Sequence, residues 1–231
     1  MLRRIAFTIS VVALVLSLQA PQGRAQTPSE EAVTLRWLGC AGFSITSDDT
    51  TILHDPYLSR HDWMSLAFGW YRPNTELLRS YLGANSPMPE LTGADLIVIG
   101  HSHFDHLGDA PWLAQHTNAT IAGTATTKHV SRGYGVPLTQ LKEVGDGDHF
   151  TQGPFRIRVV ESRHAKVIFG QVPLPGEILS PPTAPIHALS FKLGGALGYL
   201  ITHRPTGLRM YFLSSAATHP AALETLPVSY T

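Results

Sequence analysis

An α/β fold is what this sequence predicts, on three observations. Short alternating apolar runs between residues 33 and 54 read as an antiparallel meander. Downstream of residue 109, helix-like and strand-like stretches alternate. Between them lies Leu96-Ile97-Val98-Ile99-Gly100, an apolar run with the character of a buried strand, which leads directly into His101-Ser102-His103-Phe104-Asp105-His106.

In chain order, residues 1–25 stand apart. Arg3-Arg4 precede an apolar stretch over residues 5–18, and a short polar segment closes in Gly23-Arg24-Ala25. This is the pattern of a secretory signal peptide cut after Ala25, so the protein is expected to be exported, periplasmic or secreted, with residues 26–231 as the folded domain. The competing reading, a membrane anchor, wants about 20 apolar residues, more than the stretch has. No stable membrane anchor is therefore expected after processing. Cys40 is the sole cysteine. It has no partner for a disulfide within the chain and is expected to be a small buried apolar side chain.

Strands are expected over 33–38, 42–46 and 51–54, with Asp48-Asp49 in the turn before the third. Asp55-Pro56 ends that strand. Asp55 either orients a ligand histidine from behind or merely opens a turn before proline. Residues 61–90 hold Trp63, Phe68, Trp70 and Tyr71, readable as a lid or substrate wall or as core, and a short helix over 75–82. After the histidine cluster, Asp109 is placed to cap a helix over 110–115 with Pro111 in its first turn. A strand over 120–122, a weak helix over 126–131 and a strand over 141–144 follow. The run 155–160 alternates cleanly and leads to His164; a proline-rich loop over 170–186 lies close to the site. Strands are then expected over 187–193, 197–202 and 208–213, the last two joined through Arg204-Pro205-Thr206-Gly207.

The chemistry is concentrated at residues 101–106. If 101–105 stay extended, His101, His103 and Asp105 share one side, and His106 joins them where the chain bends, with Gly100 and Gly108 permitting bends. Neutral imidazoles and a carboxylate on one point suit a borderline cation such as zinc. The plainer alternative is a histidine-rich loop or core histidines satisfied by backbone carbonyls. His164, at the end of a strand, is a natural third ligand. The chain carries 17 acidic and 17 basic side chains and no long Lys/Arg run, so no nucleic-acid partner is expected. Its 43% hydrophobic content suits one substantial soluble core. No Gly-x-Ser-x-Gly or P-loop pattern points to serine or nucleotide chemistry.

The His-x-His-x-Asp-His motif at 101–106 resembles the signature of the metallo-β-lactamase superfamily of hydrolases. Trp37-Leu38-Gly39-Cys40-Ala41-Gly42-Phe43, Asp55-Pro56 and the strand leading into His164 follow in that family's order, so the resemblance spans residues 33 to about 215. The short opening strands resemble the lactonase and phospholipase D-like branches. The resemblance implies an αββα sandwich of two mixed sheets with outer helices and the metals in a cleft at one edge. It implies that His101, His103 and His164 hold a first metal, and that Asp105 and His106 contribute to a second. Two positions depart from the pattern: Ser214-Ser215 stand where a bridging carboxylate is expected, and His219 comes too soon for the last histidine. The C-terminal half is thus expected to be short, with one cation held tightly and a second poorly.

The expected function is an exported zinc hydrolase, with manganese as a substitute, acting on a small-molecule ester, lactone, lactam, thioester or phosphodiester through water activated on the metal. Asp105 is its catalytic carboxylate, orienting that water, taking its proton or holding the second cation. The alternative is a metal-binding remnant or binding protein of the same fold without turnover.

Overall fold

The structure, a computed structural model, describes residues 32–215; the expected signal peptide, His219 and the rest of the C-terminus lie outside them. The opening residues form the expected meander: β1 (Thr34–Gly39), β2 (Gly42–Ser47) and β3 (Thr50–His54) pair antiparallel. The links between them are two residues long, and Cys40 and Asp48 adopt the positive φ that such tight turns require. The chain then leaves the sheet through α1 (Trp63–Phe68) and α2 (Thr75–Ser80) and returns as β4 (Ala94–Val98), parallel to β3. Next come α3 (Phe104–Leu107), α4 (Ala110–Thr117), β5 (Thr120–Gly123), α5 (Ala125–Gly133) and β6 (Leu141–Glu143), the strands again parallel. A second, antiparallel sheet has the order β10-β9-β8-β7, from β7 (His149–Gln152), β8 (Phe155–Glu161), β9 (Leu197–His203) and β10 (Arg209–Leu213).

The period of two in β4 builds the layers. Leu96 and Val98 face the second sheet and pack with Ile45 and Ile52 against Phe155, Ile157, Tyr199 and Ile201. Ile97 and Ile99 face the other way and join Leu53, Ile121 and the helical side chains Leu78, Leu107, Leu113 and Val130. Two sheets lie face to face with helices outside the first, the sandwich that the resemblance implies, except that the second sheet is antiparallel throughout and only the first is mixed. Fully buried Tyr199 crosses the inter-sheet layer and donates its hydroxyl to the Ile99 carbonyl at 2.8 Å, so the end of β4 is tied to the second sheet by a hydrogen bond as well as by packing.

Several expectations are corrected here. Residues 187–193 are not a strand; they contain a single 3₁₀ turn, Ala188–Ser190, because the His187 ring accepts from the Leu189 amide and caps it. The strand β7 was not foreseen. Cys40 is exposed, since the tight β1–β2 turn lifts it off the sheet. Of the four aromatic residues in 63–71, only Tyr71 is core, and α1 buries none of its side chains. Asp109 precedes α4 as expected, but its side chain makes no cap. It is fully buried and accepts from the amides of Leu58 and Ser59 (both 2.7 Å), from Ser59 Oγ (2.6 Å) and from Tyr71 Oη (2.8 Å). One carboxylate thus holds the post-β3 loop and the Tyr71 segment against the start of α4.

Candidate metal centre

The end of β4 delivers the histidines. Past Val98 the Ile99 amide still pairs with the Ala122 carbonyl, and Gly100 then passes close under the second sheet, where its carbonyl accepts from the Leu197 amide at 2.7 Å. A Cβ on Gly100 would overlap the Ser214 side chain, and one on Gly108 the Tyr71 ring. Neither glycine has a positive φ, so both positions are needed for space and not for the bend expected of them.

His101 and His103 are buried, and His103, still extended, is the residue before α3, so the chain turns helical at Phe104. Asp105 and His106 are therefore helical. The strand-like alternation expected for Asp105 does not apply: its side chain is 42% exposed, with Oδ2 3.6 Å from His106 Nε2. The Ser102 amide donates to the Leu193 carbonyl, and its hydroxyl meets Thr127 Oγ1 at 2.8 Å, so the residue between the two histidines is pinned from both sides.

His164 stands three residues beyond β8. Its Nδ1 donates to the Ala165 carbonyl at 2.7 Å, which leaves the lone pair on Nε2. The three residues converge: one ring nitrogen each of His101, His103 and His164 lies within 4.8 Å of the others. His101 Nε2 and His103 Nδ1 are 3.1 Å apart. Nitrogens sharing one tetrahedral zinc at about 2.0–2.1 Å would lie about 3.3 Å apart, so the pair has the spacing of two ligands of one ion.

Behind this group sits Asp55, fully buried at a positive φ. Its Oδ1 accepts from the Gly100 amide and its Oδ2 from His106 Nδ1, both at 2.8 Å. Of its two sequence readings, the geometry is that of a carboxylate orienting a histidine. Buried His54 stands beside it, donating Nδ1 to the Ala41 carbonyl at 2.9 Å with Nε2 3.7 Å from Asp55 Oδ2. Sequence reasoning missed His54, for which a histidine at a strand end was the available signal, and also the scaffold role of Asp109, which its place before α4 made look like a cap.

The electrostatics favour a cation. Burial, with the neighbouring His106 charge, pushes the His101 imidazole far below its ordinary range, and burial takes His103 down to about 4 against the opposing pull of Asp105. Both rings are neutral at pH 7 and present lone pairs. Burial would by itself raise the Asp55 carboxyl, but His54, His106 and the hydrogen bond from His106 outweigh it and hold the group ionised. Burial likewise opposes the charged form of His106, and Asp55 overcomes it, raising that imidazole.

The expected bridging position holds no carboxylate. Ser214 Oγ is buried without a hydrogen-bond partner, and Ser215 Oγ accepts from the Ala165 amide at 2.8 Å, bracing the residue that follows His164.

The chain is 29% identical over 125 residues to a UPF0173 metal-dependent hydrolase of Methanopyrus kandleri, which covers 52% of this chain and 45% of that one. It is 31% identical over 188 residues to one of Cupriavidus necator, covering 75% and 59%. The chain thus spans about half the length of the curated relatives it matches. Among solved structures, the diiron β-hydroxylase CmlA of Streptomyces venezuelae superimposes with a TM-score of 0.51 at 18% identity, over 88% of this chain and 34% of that one, a likeness of fold. Residues 34–225 match the beta-lactamase superfamily domain, and the chain belongs to that family.

Proposed function

We propose that this chain is a metal-dependent hydrolase whose metal is held by His101, His103 and His164. The convergence of three imidazoles within 4.8 Å carries the reading, because no packing requirement places three buried or half-buried rings nitrogen to nitrogen. The names of the relatives support the reaction class. Zinc is the cation that the nitrogen donors suit best, with manganese a substitute. The chemistry a bound dication supplies is Lewis acidity toward a carbonyl or phosphoryl oxygen and a water acidified to a pKa of about 7.

The chain's own residues do the rest. Asp105, partly exposed beside the histidines, accepts the proton that a nucleophilic water gives up and orients that water by hydrogen bonding. His106 presents Nε2 toward Asp105, and Asp55 fixes its orientation by accepting a hydrogen bond from Nδ1–H. These two residues would furnish part of a second position, which Ser214 and Ser215 leave without a bridging charge. Small esters, lactones, lactams, thioesters and phosphodiesters are the bond types for such a site.

The test combines metal analysis with a substrate panel. Purified protein should carry zinc and hydrolyse at least one of these bond types, and His164→Ala should lose both. Full zinc occupancy in His164→Ala would remove the third ligand, and zinc occupancy without any turnover would favour a metal-binding protein without catalysis.

A further inference from the structure

The segment that leaves the metal centre at His164 and returns to it at Leu174 has a form that folding does not explain. Leu174 lies by its backbone against His103, and its carbonyl accepts from the Leu193 amide at 2.9 Å. Between these roots the chain makes a tight hairpin in which Ile168 and Gln171 exchange backbone hydrogen bonds. Phe169 and Gly170 form its tip, both at positive φ, at +47° and +72°. Such turns favour glycine, asparagine or aspartate at both corners, and a bulky residue there is strained. Yet the corner residue is phenylalanine, 100% exposed, beside Val167 at 65% and Ile168 at 52%. Among the described residues its ring packs on nothing, so they gain no burial from it.

The charges nearest the tip are basic: Arg163 and Lys166, both exposed, stand closest to it in the chain, and the exposed acids Glu161 and Glu177 lie further out at the two ends of the segment. The far end of the same crossing segment tells a similar story: His187 pairs by its backbone with Trp70, which is 66% exposed, and α1 shows Trp63 at 72% and Phe68 at 78%. An apolar tip with basic flanks, accompanied by exposed tryptophans, fits the boundary between acyl chains and anionic headgroups. A twofold contact between two such tips would instead set Arg163 and Lys166 near their own copies.

We propose that the 165–174 hairpin is a docking element for an anionic lipid surface, inserting Val167, Ile168 and Phe169 among the headgroups and holding the three-histidine site at the lipid–water boundary. This goes beyond the hydrolase reading and does not depend on it. Each basic side chain near such a surface strengthens binding about fivefold, and the effect is lost as salt screens it.

The test reads the tip itself. In a Cys40→Ser chain, Phe169→Cys carries an environment-sensitive fluorophore and is mixed with vesicles of phosphatidylcholine, alone or with about one third phosphatidylglycerol. The emission should shift to the blue and be quenched by brominated acyl chains with the anionic vesicles, much less with the neutral ones, and the shift should fall in high salt. Lys166→Glu with Arg163→Glu should weaken the response at least tenfold. An unchanged emission overturns the proposal even where the protein sediments with vesicles, since another segment then does the binding. A blue shift that appears without vesicles and rises with protein concentration overturns it in favour of self-association.

Discussion

Asp55 and His106, 51 positions apart in sequence, are joined by a buried hydrogen bond of 2.8 Å from Nδ1 to Oδ2, and the same carboxylate accepts from the Gly100 amide at the root of the histidine loop. Strand β3 thereby sets both the path of the loop and the tautomer of one of its histidines. Asp55→Ala is expected to cost about 3–5 kcal/mol in urea unfolding, because it leaves a raised, buried imidazole and an amide without their partner. Asp55→Asn keeps the shape but not the charge. It should cost less stability while lowering affinity for a second metal about 10–100-fold in chelator competition.

Asp109 offers a direct contrast between a helix cap and a scaffold. A lost cap costs about 1 kcal/mol. Asp109→Ala would leave four buried donors unpaired, at about 1–3 kcal/mol each before relaxation, so a loss of ~3 kcal/mol or more is expected by chemical denaturation. Tyr71→Phe removes one of the four and should cost about 1 kcal/mol.

Acid should weaken the metal-free protein before its carboxylates titrate. Burial lowers the folded-state His103 value from 6.5 to about 4, and His101 shifts further in the same direction. A depressed value means that the unfolded chain binds more protons, so this contribution is complete above about 6.5 and is lost as pH falls through about 4. His106 works the other way: raised by Asp55, it contributes below its unfolded value and loses that contribution as pH rises through its folded one. Urea midpoints should therefore fall between pH 6.5 and 4, and His103→Gln should flatten that slope.

Metal analysis after dialysis should find about one zinc per chain, since three imidazoles hold one ion with a position open and no bridging carboxylate among the described residues supports a second. Asp105→Asn should reduce hydrolysis more than it reduces this tightly held metal, because the amide keeps the shape but takes no proton. Two tightly held zincs would show that another side chain supplies the missing ligands.

The N-terminal pattern of Arg3-Arg4, an apolar run and Gly23-Arg24-Ala25 leads to one further expectation. Mass spectrometry of protein recovered outside the cytoplasm should find a mature start at Gln26; a product that keeps residues 1–25 would mean an anchor.

Much of this was legible in local pattern. The period of two in β1–β4 and β8 is a property of neighbours along the chain, and so is the adjacency of His101, His103, Asp105 and His106. His164 was found from its place after a regular strand. What was misread involves competition between local and distant partners. His187 turned an apolar run into a 3₁₀ turn by capping it, and the helix that begins at Phe104 broke the alternation expected to carry Asp105.

By itself, then, the sequence determined the layered α/β architecture and singled out the histidines that converge, because apolar periodicity and donor chemistry are carried by the residues themselves. Only the tertiary structure decided how those side chains are aimed and charged. His103 loses proton affinity through burial, His106 gains it from a carboxylate on β3, Asp109 is drawn from capping its own helix to binding the Ser59 and Tyr71 segments, and Phe169 is left facing solvent on a hairpin rooted at His164. The physical reason is that desolvation, Coulomb interaction and hydrogen-bond satisfaction depend on distances between residues far apart in the chain, and those distances exist only once the two sheets have closed on each other.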